Sequence, residues 1–218
     1  MSKQLIKRII TSLLLLSLLV LVIYYNYILI ISLIIISLIS WIEFNGLITK
    51  IFIKKNFKLK FFKSLSLLYL TFFSIIVFNY VTDLTTKGYA VYIFCICIFS
   101  DVGGLIFGKF FGGKKLTKIS PNKTISGSIG SFAFSLLLVP LYFYFFSYTS
   151  DPFFLIIFTI IISFTCQLGD LFISFLKRKA NVKDTGDLLP GHGGVLDRMD
   201  GILFAVPTGL IILSYLLI

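Results

Sequence analysis

Three aspartates pose the chemical question in this chain. Asp170, Asp197 and Asp200 stand in or beside apolar runs of the carboxy-terminal third, where a charge must be met by a partner, a cavity or a metal. Asp197 and Asp200 are three residues apart at the start of the last apolar run, so on a helix both point the same way, and the helix dipole favours carboxylates at its amino terminus. With Asp170 from the preceding helix they would make a hard-oxygen site suited to Mg²⁺, which takes one or two carboxylates and completes its shell with water and phosphate. Plainer alternatives stand beside this one: Asp170 merely pairs with a lysine, and Asp197 and Asp200 merely cap a helix. No His/Cys set competes for zinc, because Cys95, Cys97 and Cys166 lie inside apolar runs and His192 is the only histidine.

The surrounding residues point to phosphate. Gln167, Asp170, Ser174 and Lys177 or Arg178 share one face of a helix. In the following loop, LLPGHGGVLDR, Gly191, Gly193 and Gly194 surround His192, and successive free N–H groups there can form an anion-binding nest. Lys177, Arg178, Lys183 and Arg198 are near in sequence. His192 itself reads better as a hydrogen-bonding element than as a general base, since phosphoryl-type transfer asks for little proton chemistry. A second polar region runs from Ser100 to Gly130, where the segment SPNKT, from Ser120, presents Lys123 between hydroxyls. It is not a P-loop, and its glycines could equally serve helix packing alone. Asp101 is either a further acidic site residue or a local partner of Lys109.

The elements that must hold these residues are membrane helices. A chain of 218 residues with 58% hydrophobic and 13% charged residues and a mean hydropathy of +1.02 is too apolar for a soluble domain. The expected fold is all-α, a polytopic integral membrane bundle of about seven transmembrane helices, near 8–24, 27–44, 64–81, 89–107, 127–147, 153–176 and 201–218. The first two form one apolar block, for which Tyr24, Tyr25 and Asn26 give the turn. The basic start resembles a secretory signal, but no small-residue cleavage site follows, so a retained helix is expected. With neither repeat nor linker, residues 1–218 read as one membrane-embedded domain.

Charge fixes the orientation. Seven spans put nineteen of the twenty Lys and Arg residues on one face and leave Lys87 opposite. The positive-inside rule makes that face cytoplasmic, with the polar cluster on it, in the cell inner membrane. The net charge of +11 is therefore topological, and no nucleic-acid partner is expected.

The stretch SFLKRKANVKDTGDLLPGHGGVLDRMD, Ser174 to Asp200, resembles the signature of the CDP-diacylglycerol synthases, or phosphatidate cytidylyltransferases. It is met at Ser174, Lys177, Arg178, Lys183, Asp184, Gly186, Leu189, Pro190, His192, Gly193, Gly194, Asp197, Arg198 and Asp200, and the resemblance extends to the QLGD ending at Asp170 and to ISPNKT. It departs at Leu105, where the family commonly has an aromatic, and at Ser126–Gly127, where it commonly has Glu-Gly. The resemblance implies transfer of a cytidylyl group from CTP to phosphatidic acid, a membrane lipid. Asp170, Asp197 and Asp200 would hold Mg²⁺, with a second cation such as K⁺ beside it. Lys177, Arg178 and Arg198 would bind phosphates. Ser120, Lys123, Ser174, Lys183, Asp184, His192, Gly193 and Gly194 would serve substrate binding. Similar enzymes are homodimers. The rivals are a related lipid kinase or other nucleotidyltransferase, a CDP-alcohol phosphotransferase, whose Asp-Gly and Ala-Arg spacing is missing, and a cation-coupled transporter, whose carboxylates would line the bilayer midplane.

Overall fold

The computed structural model describes residues 13–14, 17–53, 56–146, 151–188 and 193–216, and among them the regular elements are helices. After a helical stretch over residues 17–24 come α1 (Asn26–Ile51), α2 (Asn56–Thr82), α3 (Lys87–Phe111), α4 (Ile125–Leu136), α5 (Leu138–Phe146), α6 (Pro152–Lys179) and α7 (Leu196–Leu216). Among the described residues five helical stretches are long and apolar enough to cross a membrane: α1, α2, α3, Ile125–Tyr144 and α6. The all-α, multi-pass architecture is as expected. Of the expected first span, residues 8–12 and 15–16 lie outside the described residues.

The differences lie at helix ends. Both α1, ending at Ile51, and α2, starting at Asn56, overrun their expected apolar windows by roughly two turns. Hydropathy marks only the length immersed in hydrocarbon, whereas a helix stops where its backbone is broken or capped. Thus α3 continues to Phe111 and ends at Gly112, whose φ of 56° no ordinary residue adopts cheaply and whose N–H closes on Gly108 O. Among the described residues of the first apolar block Tyr25 is the interruption, extended at φ −121° and ψ 108°, at the turn the sequence indicated. The expected span 127–147 is broken at Leu137, because Pro140 has no N–H to offer Leu136.

The chain forms two units, Met1–Thr82 with Leu176–Met199, and Asp83–Phe175 with Asp200–Ile218. In the first, α2 buries Leu70, Phe73, Val77 and Val81, a stripe at helical spacing. Hydroxyl and indole groups tie it to α1: Ser37 Oγ lies 2.7 Å from Ser74 Oγ, and Trp41 Nε1 donates to Lys63 O at 3.2 Å. In the second unit small residues let backbones meet. A Cβ on Gly103 would stand 2.5 Å from Gly130 O, and one on Gly104 2.7 Å from Ser131 Oγ. Packing is therefore the work of these glycines of the Ser100–Gly130 region. Ser131 Oγ donates to Ser100 O at 2.7 Å, Ser100 Oγ meets Ser163 Oγ at 2.9 Å, and Tyr92 OH meets Thr159 Oγ1 at 2.6 Å. Such bonds and close small-residue contacts hold helices together where lipid removes the hydrophobic drive. Helices α6 and α7 meet the same way, since a Cβ on Gly169 would lie 2.5 Å from Asp200 O and one on Gly201 2.5 Å from Cys166 Sγ.

Candidate active site

In the first unit the last turn of α6 ends in a reversal built on Asn181. This residue takes φ 53°, which Asn tolerates better than most. Val182 N donates back to Lys177 O at 3.0 Å and Ala180 N to Leu176 O at 2.9 Å, satisfying carbonyls that the helix end leaves without partners. The chain then passes through Lys183 and Asp184, both exposed, to Thr185. Here two carboxylates take over. Asp197 Oδ1 pairs with Lys177 Nζ at 2.6 Å, with only 15% and 5% of the Lys and Asp side chains exposed. Its Oδ2 accepts from Thr185 N at 2.8 Å, Thr185 Oγ1 at 2.9 Å and Gly194 N at 3.1 Å. Burial pushes the Asp197 carboxyl up, but Lys177 and the Thr185 and Gly194 amides outweigh it and hold it below the ordinary aspartate value.

The other carboxylate is Glu43, from α1 and only 9% exposed. Oε1 accepts from Val195 N at 3.0 Å, and Oε2 accepts from Leu196 N at 2.8 Å and Thr185 Oγ1 at 2.8 Å. Of the anion nest expected around His192, Gly191 lies with His192 outside the described residues, while Gly194 gives its amide to Asp197 and the Val195 and Leu196 amides go to Glu43. The sequence reading passed over Glu43, although a signal was present. It is the only glutamate in the chain and an ionisable residue inside an apolar span.

In the second unit Asp170 faces the loop between α3 and α4. That loop is folded on itself: Lys115 and Thr124 bridge, Leu116 N donates to Lys123 O at 2.8 Å, and Lys123 N closes the SPNK turn on Ser120 O at 3.1 Å. Thr124 caps α4 by accepting from Gly127 N at 3.0 Å. Ser126, at the departure from the family pattern, bonds to Gly112 O and lies 3.0 Å from Thr124 Oγ1. The loop so formed delivers Lys123 Nζ to Asp170 Oδ2, each side chain 27% exposed. One turn along α6, Ser174 Oγ donates to Asp170 Oδ1 at 3.3 Å. One turn back, Gln167 Oε1 accepts from Ser128 Oγ at 2.5 Å, while its buried Nε2 finds no acceptor among the described residues. Lys115, Leu116, Thr117, Lys118 and Pro121 line a cavity of about 410 Å³ on the same loop. Asp200 Oδ1 accepts from Gly201 N at 2.9 Å, and Asp200 and Asp101 both stand within electrostatic reach of Cys166.

Of the face drawn for Gln167, Asp170, Ser174 and Lys177 or Arg178, Asp170 and Ser174 are joined by a hydrogen bond, and the lysine pairing considered for Asp170 is made by Lys123. Lys177 is committed to Asp197. Ser120 contributes a turn carbonyl, Gly193 takes φ 80° beside Asp197, and Arg178 and Arg198 are exposed. His192, with Leu189 and Pro190, lies outside the described residues. Among those residues no group of three or more His, Cys, Asp or Glu side chains is arranged to hold a metal ion. Of the three aspartates, Asp170 and Asp200 belong to the second unit and Asp197 to the first, and carboxylates are the donors Mg²⁺ takes.

A profile of the cytidylyltransferase family matches residues 1–216. Over 129 residues the chain is 43% identical to a phosphatidate cytidylyltransferase of Staphylococcus haemolyticus (strain JCSC1435), covering 59% of this chain and 50% of that protein. It is 44% identical over 131 residues to one of Staphylococcus aureus (strain COL), covering 60% and 50%. Against one of Rickettsia bellii (strain RML369-C) it is 45% identical over 121 residues, covering 52% of each. The chain spans about half the length of these relatives.

Proposed function

We propose that this chain, which belongs to the cytidylyltransferase family, transfers a cytidylyl group from CTP to phosphatidic acid at the cytoplasmic face of a membrane. A phosphate oxygen of phosphatidic acid attacks the α-phosphorus of CTP, the bond between the α- and β-phosphates breaks, and pyrophosphate leaves with CDP-diacylglycerol as the lipid product. The observation that carries this reading is the partly exposed Lys123–Asp170 pair on the folded α3–α4 loop, with Gln167, whose Nε2 finds no acceptor among the described residues, one turn back on α6. A lysine resting on an acid in reach of solvent can turn to a phosphate when one arrives, and the acid is then free to face a cation.

Both reactants are anionic, so the reaction needs positive charge fixed in place before they meet. On this reading Lys123 meets nucleotide phosphate, with Arg178, Lys183 and Arg198 as further phosphate-binding cations. Lys177 acts indirectly, by holding Asp197 and the loop that carries Lys183. Bound Mg²⁺, held by Asp170 and Asp200, would supply charge neutralisation on the triphosphate. The cytoplasmic placement rests on the charge asymmetry of the loops.

The test is an assay of the purified chain with CTP, dCTP or ATP and phosphatidic acid in lipid nanodiscs. CTP-dependent formation of CDP-diacylglycerol and pyrophosphate is the expected result. Phosphorylation of a lipid by ATP would replace this reading with a lipid kinase, and absence of any nucleotide-dependent product would remove it.

A further inference from the structure

We propose that Glu43 is a positioning residue, an anion built into α1 that fixes Thr185 and the Val195–Leu196 amino terminus of α7 before any ligand binds. A carboxylate inside an apolar helix and 9% exposed is costly unless its lone pairs are met. The groups that meet it come from a segment some 150 residues away in sequence. Val195 and Leu196 supply amides that the first turn of a helix always leaves without partners. A side chain at the cap position serves the amides two and three residues further on, so the amides of Val195 and Leu196 need another acceptor. Glu43 is that acceptor, and its negative charge also suits the positive end of the helix.

Space is reserved for this contact. A Cβ on Gly186 would lie 2.8 Å from Glu43 Oε1, and one on Gly194 would collide with both Glu43 Oε2 and Thr185 Oγ1. Thr185 links the two acids, since its hydroxyl lies 2.8 Å from Glu43 Oε2 and 2.9 Å from Asp197 Oδ2. Its one proton serves either acid in turn. Glu43 acts through this arrangement on the flanking residues of the segment, Lys183 and Asp184 on one side and Arg198 on the other. Ordering them in advance lowers the entropic cost of ligand binding.

The kinetic part of this assignment rests on the cytidylyltransferase reading, and the structural part does not, so the test reads both. Full-length wild type, Glu43→Gln and Glu43→Asp are compared in nanodiscs by amide hydrogen exchange and by initial rates with CTP and phosphatidic acid. Glu43→Gln places an amide donor where the carboxylate accepted, leaving at least one backbone N–H unsatisfied. Exchange over residues 185–196 should rise about tenfold or more, with exchange in α3 and α4 unchanged. KM for CTP should rise by a similar factor, about tenfold, with KM for phosphatidic acid constant, and Glu43→Asp should recover part of both effects. Should Glu43→Gln fail to fold, Thr185→Val, which removes only the shared hydroxyl, must raise exchange in the same segment. Unchanged exchange over 185–196 in a folded variant, or an equal rise throughout the chain, overturns the proposal. Local loosening with KM for CTP unaltered also overturns it, because Glu43 would then hold the fold without serving the site. An inactive wild type in which Glu43→Gln still loosens 185–196 locally supports the structural role and counts against the cytidylyltransferase reading alone.

Discussion

Asp197 and Asp170 carry the same functional group, and the structure gives them different surroundings. Asp197 has four donors, a lysine and three groups of its own loop, and its side chain is 5% exposed. Asp170 has one lysine and one long serine contact, and its side chain is 27% exposed. A carboxylate whose lone pairs are filled by backbone donors is part of the frame. One left half-satisfied at a reachable surface is free to exchange partners. The difference is one of hydrogen-bond accounting, and it separates the groups that hold the fold from those available to a ligand.

The largest expected effect is a double dissociation between these two acids. Asp170→Asn should cut cytidylyl transfer by about a hundredfold or more, the scale of removing one fixed electrostatic group. Thermal unfolding in detergent should shift little, because a partly exposed ion pair contributes less than about 1 kcal/mol. Asp197→Ala should instead destabilise the protein by about 3 kcal/mol, since it strands a largely buried Lys177. If both variants unfold alike, or both merely lose turnover, the contrast between frame and ligand site is wrong.

Chelation sharpens the same contrast. Removing Mg²⁺ with EDTA should abolish turnover, yet leave hydrogen exchange over residues 185–188 and 193–196 unchanged, because that clamp consists of protein groups alone. A rise in exchange on chelation would return Asp197 to the metal. A smaller effect is expected for Gly186→Ala, whose new Cβ would sit 2.8 Å from Glu43 Oε1. Displacing the carboxylate should destabilise the protein by about 1 to 3 kcal/mol, measured by the same unfolding assay.

The smallest effect is that of pH. The folded Asp197 carboxyl is held below its unfolded value of about 3.9, so its stabilising contribution is fully present above that pH. It is lost only as pH falls through the lower folded value. Exchange at the Thr185 and Gly194 amides, corrected for intrinsic rates, should therefore be flat from about pH 8 to 5. A rise in that range would show Asp197 to be less well held than its partners indicate.

Much of this was readable before any coordinates. Hydropathy located the helices, Tyr24 to Asn26 marked the break in the first apolar block, and the spacing of Gln167, Asp170 and Ser174 gave one helix face. Spacing could not tell which donors an acid would find. Asp170 and Asp197 look alike in sequence, each with a basic residue following it, Lys177 and Arg198, and only the folding of the α3–α4 loop brings Lys123 to Asp170. The glycines at 193 and 194 signalled close approach to an anion. They could not show that the anion would be a glutamate from the second apolar run.

The sequence by itself determined the solvent and the inventory: a chain this apolar has to live in a bilayer, and six of its nine acids lie between Asp151 and Asp200. Tertiary structure alone decided which of those acids are spent. Partner choice depends on amides and ammonium groups drawn from distant parts of the chain, and a buried carboxylate settles wherever the most donors reach it. Periodicity along one helix carries no record of that competition.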